Sequence, residues 1–266
     1  MKVWQISVVI ISSVVVTTLG IGAADTWQGT SGSLLGQLFG ATNNPCPAGM
    51  TYSATSLTFS CVDTYEASAS TGCLFSEPET TPETTKNLGA VSCTAQSIAG
   101  IKPWRFIARE QAALACARAG KRLPTAAEWY SVALGTPPEQ CNSSEGFVHA
   151  SGEYAACTSA TGIYDAVGNV WEWVSDDVID RHYNGRTLPP SGTITQVDSG
   201  GVATETSSDS RSEQFGQDYL WSGSTGVYGM MRGGFYGSKT DAGVFTLQAE
   251  IAPTFAGIAV GFRCVK

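Results

Sequence analysis

The spacing of hydrophobic and polar positions changes period several times along this chain. A helical period covers Arg109–Ala119, REQAALACARA, and stops before Gly120, a residue suited to the left-handed position just past a helix end. The next stretch is LPTAAEW. Thr125 and Glu128 have the S/T-x-x-E spacing of a capping box, which predicts a helix with Thr125 as its N-cap. It should run to about Leu134, where Gly135 and Pro137-Pro138 end it. Strand-like alternation appears in LTFSCVDTYEAS, residues 57–68, and more clearly in VFTLQAEI, residues 244–251. There Val244, Thr246, Gln248 and Glu250 face one way and Phe245, Leu247 and Ala249 the other, the pattern of a half-buried strand. SEPETTPETTK, residues 76–86, reads as a polar loop broken by proline, and residues 185–226 as long surface loops. No internal repeat is present. The pattern is that of an α+β domain with two short helices, short strands and many loops.

The N-terminus departs from this pattern. Lys2 precedes an apolar run reaching about Ala24, and Gly22 and Ala24 suit the −3 and −1 positions of a signal-peptidase site. The run is also about 20 residues long, enough to span a bilayer. Residues 1–24 are therefore expected to be a signal peptide or a membrane anchor, with export either way. Residues 25–44 read as a Gly/Ser-rich linker, and the folded domain should span 45–266.

Composition narrows the partners. The formal net charge is −8 and no Lys/Arg cluster occurs, which excludes a nucleic-acid partner. The eight cysteines, an even number in an exported chain, predict disulfides. None forms a CxxC pair, and two histidines, His149 and His182, cannot build a His-rich metal centre. His182 and the acids Asp176, Asp177 and Asp180 read as solvated surface, and no G-x-S-x-G elbow occurs. NSS at Asn142 is a glycosylation tripeptide.

YDAVGNVWEW, residues 164–173, carries the most chemistry. Trp171 and Trp173 share a face if the segment is a strand, and their size points to the core. Glu172 between them needs a partner if buried. Asp165, Asn169 and Glu172 supply oxygen atoms for either a hydrogen-bonded turn or a Ca²⁺ site.

GKRLPTAAEW (120–129), YDAVGNVWEW (164–173), RGG (232–234) and GFRC (261–264) follow one another as in the formylglycine-generating enzyme, or sulfatase-modifying factor, family, which residues 45–266 resemble. The resemblance implies an irregular C-type-lectin-like fold. It implies a structural Ca²⁺ held by Asp165, Gly168, Val170 and Glu172. It also implies a disulfide between Cys116 and Cys264; pairing sequence neighbours among the rest gives Cys46–Cys61, Cys73–Cys93 and Cys141–Cys157. Enzymatic members oxidise a substrate cysteine with copper and oxygen through two cysteines soon after RGG. Ser238 and Gly243 stand at those positions here, and no cysteine occurs between Cys157 and Cys264. A hydroxyl cannot replace a thiolate on Cu(I), so no copper and no enzyme activity are expected.

RGGFYGSKTDAGVFTLQAEIAPTFAGIAVGFR, residues 232–263, also resembles the variable region of proteins targeted by diversity-generating retroelements. RGG, Gly243-Val244-Phe245, Leu247, Ala252-Pro253 and Gly261-Phe262-Arg263 match their fixed framework; Tyr236 and Lys239 depart from its usual Trp and Gly. The exchangeable slots are Phe235, Gly237, Ser238, Asp241, Gln248, Glu250, Ile251, Phe255, Gly257 and Ala259. They share no chemistry. All but Gln248 and Glu250 are reachable from an Asn codon by adenine changes alone. Phe235, Ile251 and Phe255 should then be exposed apolar residues of a binding patch. The expectation is an exported, non-catalytic receptor- or adhesin-like protein for an unknown protein or glycan on another surface. The alternatives are a formylglycine-generating-type oxidoreductase and a non-diversified carbohydrate-binding or envelope protein, the last using Trp221 or Tyr183.

Overall fold

The computed structural model describes residues 44–54, 56, 58–208 and 213–266. The segment expected as signal peptide or anchor, and the linker up to residue 43, lie outside the described residues. Cys46–Lys266 forms one compact unit. Among the described residues no helix is long and apolar enough to cross a membrane.

Among the described residues three α-helices are present where two were expected. Helix α1 is Thr81–Gly89, inside the segment read as a loop. Its polarity is that of a helix start. Thr80 Oγ1 accepts from Glu83 N (3.4 Å), Glu83 Oε2 accepts from Glu79 N (2.7 Å), and Pro82 sits in the first turn, where no N–H is needed. Helices α2 (Arg109–Arg118) and α3 (Ala126–Ala133) fall where the periodicity placed them. Thr125 and Glu128 close the capping box, with Glu128 N to Thr125 Oγ1 at 3.2 Å and Thr125 N to Glu128 Oε2 at 2.8 Å.

The strands form three sheets. β1 (Met50–Tyr52) pairs with β2 (Cys61–Asp63), and β3 (Ala67–Ala69) with β4 (Ala95–Ser97). The main sheet contains β5 (Trp171–Ile179), β6 (His182–Tyr183), β7 (Arg186–Thr187), β8 (Gly192–Val197), β9 (Ala203–Ser207), β10 (Tyr219–Ser222), β11 (Val227–Arg232), β12 (Leu247–Ile251) and β13 (Val260–Phe262). Its order is β7-β6-β5-β11-β12-β10-β8-β9, with β13 beside β5. Only β10–β12 and β5–β13 run parallel. Strands β7 to β10 replace the long loops expected over 185–226. Their signal was hidden because β8 and β9 close the edge of the sheet, where Thr and Ser can face water and no apolar alternation is required. Of the acids after WEW, Asp177 and Asp180 are exposed as expected, whereas Asp176 is half-buried. Asp176 and Asp177 lie on β5; Asp176 accepts from Ala126 N at the start of α3 (2.7 Å), and Asp177 pairs with Arg109.

Alternation along β5, β11 and β12 divides the core between the two faces of the main sheet. Val174, Val178, Met230, Leu247 and Ala249 pack with Trp129 and Val132 of α3. Trp171, Trp173, Met231 and Phe262 pack on the other face with Ala112, Ala115 and Cys116 of α2. Four disulfides fasten these layers: Cys46–Cys61, Cys73–Cys93, Cys116–Cys264 and Cys141–Cys157. Cys116–Cys264 joins α2 to the chain end across 148 residues, worth about 5 kcal/mol on the chain-entropy account.

Candidate functional site

Segment 232–263 enters through β11 and leaves through β13, and these two strands flank the first half of β5. Arg232 lies opposite Glu172 on one side, and Gly261 lies opposite Glu172 on the other. Both bounding arginines are fully buried. Arg263 donates to Glu172 through Nε (2.7 Å) and Nη2 (2.5 Å), and to the carbonyls of Asp63 and Tyr164. Trp129 Nε1 adds a third bond to Glu172 at 2.6 Å, so Glu172 has the partners its burial demands. Arg232 donates to the carbonyls of Phe245, Ala126 and Gly200 and lies over the rings of Trp129 and Tyr130. Burial pulls its pKa down to about 10.

The fixed residues between these ends have equally local reasons. Gly233 has φ +88°, and a Cβ there would lie 2.4 Å from the Ala166 carbonyl oxygen. A Cβ on Gly243 would lie 1.9 Å from Asp218 Oδ1. Asp218 is itself buried and accepts from Phe245 N (2.7 Å) and Thr246 N (3.1 Å), pinning GVF to the start of β10. Burial raises its pKa to about 7, against the lowering effect of those two bonds. Sequence reading missed this residue, because nothing near Asp218 in the chain marks the approach of Gly243.

Registers across the sheet place Phe262, Trp173, Met231, Gln248 and Trp221 in one row, on one face. At the Trp221 end of this row a cleft of about 300 Å³ opens. Trp171, Trp221, Phe235, Gly237, Ser238, Asp241 and Gln248 line it, so half of the predicted slots converge there. Trp171 meets Trp221 edge to face at 5.7 Å between centroids, and Tyr219 packs on the other side of Trp221 at 4.6 Å. Ser238 Oγ accepts from Phe235 N (3.0 Å), and Gln248 Oε1 accepts from Glu250 N (2.8 Å). The remaining slots lie on the end of β12 and the loop after it. Glu250 and Phe255 are exposed. The carbonyls of Gly257 and Ala259 accept from Phe106 N and Trp171 N.

Three slots differ from expectation. Gln248 is buried, because β12 lies between β10 and β11 inside the sheet and its polar face also meets the core. Phe235 and Ile251 are half-buried against the cluster around Trp173, which leaves Phe255 as the exposed large apolar slot.

The carbonyl and carboxylate set expected to hold Ca²⁺ does not fit an ion as it stands. Both Glu172 oxygens are taken by Arg263 and Trp129, and Asp165 accepts from Gly152 N at 2.6 Å. What the set does contain is an excess of acid. Glu66, fully buried and missed in the sequence, accepts from Ser151, Asn169 and Val170, and shares with Asp165 and Glu172 a single cation, Arg263. Burial, with the neighbouring carboxylates, pushes Glu66 well above the usual range; burial takes Asp165 to about 6. The tripeptide at Asn142 is closed to modification: the side chain is buried and donates to Phe147 O and Asn169 Oδ1. Tyr183, buried and bonded to Asp176, is not part of the cleft.

The few short helices and the mostly antiparallel, loop-rich sheet are those of a C-type-lectin-like fold. Residues 136–266 match the family model of the sulfatase-modifying factor enzyme 1-like domain. Three similar solved structures are variants of one protein. The Major Tropism Determinant P3c variant has a TM-score of 0.50 at 17% identity, over 83% of this chain and 52% of that one. The U1 variant aligns at 0.50 and 18%, over 84% and 53%. The M1 variant gives the same values. This chain spans about half the length of those proteins, and identities this low speak to the fold alone. No curated protein matches the chain.

Proposed function

We propose that this is an exported, non-catalytic ligand-binding protein whose C-terminal surface is exchangeable and whose scaffold is not. One observation carries the reading: Phe235, Gly237, Ser238, Asp241 and Gln248 meet in one cleft, and residues outside the slots hold the backbone around them. Arg232, Arg263, Asp218 and the disulfide of Cys116 with Cys264 all bond independently of what the slots contain. Catalysis of the formylglycine type lacks its chemistry here, since all eight cysteines are in disulfides and a serine and a glycine occupy the thiol positions. Pairing of every cysteine supports an oxidising, extracellular setting. The acidic balance supports a protein or glycan partner rather than nucleic acid. The similar solved structures are variants of a major tropism determinant, and the proposal of a variable recognition surface on this chain takes its lead from them.

The half-burial of Phe235 and Ile251 favours a second reading, a fixed binder in which these are ordinary packing residues. The nucleotide sequence of the locus separates the two. The exchangeable reading expects a neighbouring reverse transcriptase gene and a second copy of the 3′ segment that differs at adenines. A locus with neither leaves the fixed binder.

A further inference from the structure

Among the described residues four arginines are buried: Arg105, Arg109, Arg232 and Arg263. Three are well engaged. Arg109 pairs with Asp177 and Glu110, Arg263 pairs with Glu172, and Arg232 bonds to three carbonyls. Arg105 is different. It is only 5% exposed, yet its one hydrogen bond is long, from Nη1 to the Ile258 carbonyl at 3.4 Å. Its Nε is enclosed and bonds nothing; Nη2 also bonds nothing and is the end of the fork that is not enclosed. The Phe106 ring centre lies 5.6 Å from the guanidinium carbon. No carboxylate pairs with Arg105 among the described residues. A cation buried this far without an acid is costly, and an anion brought to it offsets that cost.

Arg105 adjoins the loop that carries the exchangeable residues Phe255 and Gly257. Three donors outside the slots hold this loop by its backbone: Arg105 Nη1 on Ile258 O, Phe106 N on Gly257 O (3.0 Å) and Arg109 N on Pro253 O (3.1 Å). Phe106 has φ +54°, a conformation that bulky side chains rarely adopt. We infer that Arg105 is a fixed anion-binding residue beside the exchangeable loop, and that its Nη2 receives the carboxylate of an acidic side chain on a protein partner. The inference rests on the binding reading above. On that reading every version of the surface keeps Arg105 and Ile258, while Phe255 and Gly257 change the selectivity around them.

The surroundings decide among anions. Arg109 is committed to its two acids, and Lys102 pairs with Glu77 at 3.9 Å, so a single positive charge is on offer. A monoanion matches it; a phosphate dianion brings a second charge with no partner. Phe255 and Ile258, 46% and 54% exposed, add apolar surface on the same loop. An acidic residue next to an apolar one suits both features. A uronic acid ring would set hydroxyl groups against these side chains without partners. The overall charge of −8 does not decide the matter, because at physiological salt the fields of exposed acids fade over about 8 Å.

The test is NMR of the full chain with isotope-labelled arginine, in which the enclosed Nε–H of Arg105 is assigned by its loss in Arg105→Lys. The probe is acetyl-Leu-Glu-amide; acetyl-Leu-Gln-amide, methyl glucuronide and inorganic phosphate are the comparisons. The Glu peptide should shift the Arg105 signal saturably with Kd of about 1 mM, and each comparison should bind at least about tenfold more weakly. Added salt should weaken the binding. Arg105→Met should abolish the shifts that the Glu peptide causes in backbone amides of residues 253–258. The wild-type Arg105 signal is read directly, which keeps the test decisive if that variant does not fold. The inference is overturned if the Arg105 signal does not move or if the Gln peptide moves it equally. It is also overturned if methyl glucuronide or phosphate binds more tightly, which would point to an acidic glycan or a phosphorylated partner. None of these results bears on whether the slots are exchangeable, which the locus sequence decides.

Discussion

The two arginines that bound residues 232–263 are buried to the same extent but held in opposite ways. Arg263 faces a carboxylate, Glu172, in a region with too many carboxylates. Arg232 faces carbonyl oxygens and aromatic rings and makes no ion pair among the described residues. Burial lowers the pKa of Arg232; at Arg263 burial pulls the same way, but the charge and hydrogen bonds of Glu172 together with the charges of Glu66 and Asp165 outweigh it and raise the pKa. Arg263 is thus an electrostatic keystone whose removal leaves acids unbalanced. Arg232 is a geometric clamp that ties β11 to the GVF turn, to α3 and to the loop at Gly200.

Replacing each arginine with methionine breaks this comparison most directly. Arg263→Met should cost about 3–5 kcal/mol, because Glu172 stays buried beside Glu66 and Asp165 without its cation. Urea unfolding of the intact-disulfide protein measures it. Arg232→Met should cost less, about 1–3 kcal/mol, since it leaves carbonyls unbonded but no charge unpaired. Equal losses would erase the distinction.

Titration sharpens it. Asp218, raised to about 7, is the acid whose charge Arg232 feels near GVF. Its folded pKa lies above its unfolded value, so the folded state binds more protons between the two. Stability on its account is fully present below about pH 4 and is lost as pH rises through about 7, on the order of 4 kcal/mol in all. Asp165, raised to about 6, adds a slope of the same sign ending one unit lower. Melting curves at pH 5 and pH 8 should show the fall, and Asp218→Asn should flatten it. The smallest expected effect is at Lys239, where φ is +55° and the resembled framework has glycine. Lys239→Gly should stabilise by about 0.5–1 kcal/mol; a loss would mean the lysine side chain compensates for its backbone.

Local chemistry made much of this architecture readable in the sequence. Thr125 and Glu128 announce their helix because the capping box is complete within four residues, and the cysteine pairs follow from order along the chain and a family resemblance. Helix α1 was readable by the same rule, since Thr80 and Glu83 have the same spacing. There the acidic, proline-containing composition outweighed it. Strands β7 to β10 were not readable, because an edge hairpin needs partners rather than apolar alternation. In the cleft, the slots came from a pattern, whereas the burial of Gln248 depends on which strands flank β12. That neighbourhood arises from a parallel pairing with β10 which no spacing in the sequence records. Glu66 is further from Asp165 in the chain than any local motif reaches.

Phe235 lies over Gly237, where an added Cβ would come within 2.9 Å of its ring, and Phe255 covers Gly257 in the same way, at 2.7 Å. A side chain at either glycine must therefore displace the phenylalanine two residues before it. Mutational effects at these paired positions should be non-additive, and a double-mutant cycle on Phe235 and Gly237 should return a coupling energy well above the few tenths of a kcal/mol seen between independent sites. If the surface is exchangeable as proposed, counting its repertoire as a product over positions overstates it: each Phe-x-Gly pair has one joint set of workable combinations, smaller than two free choices.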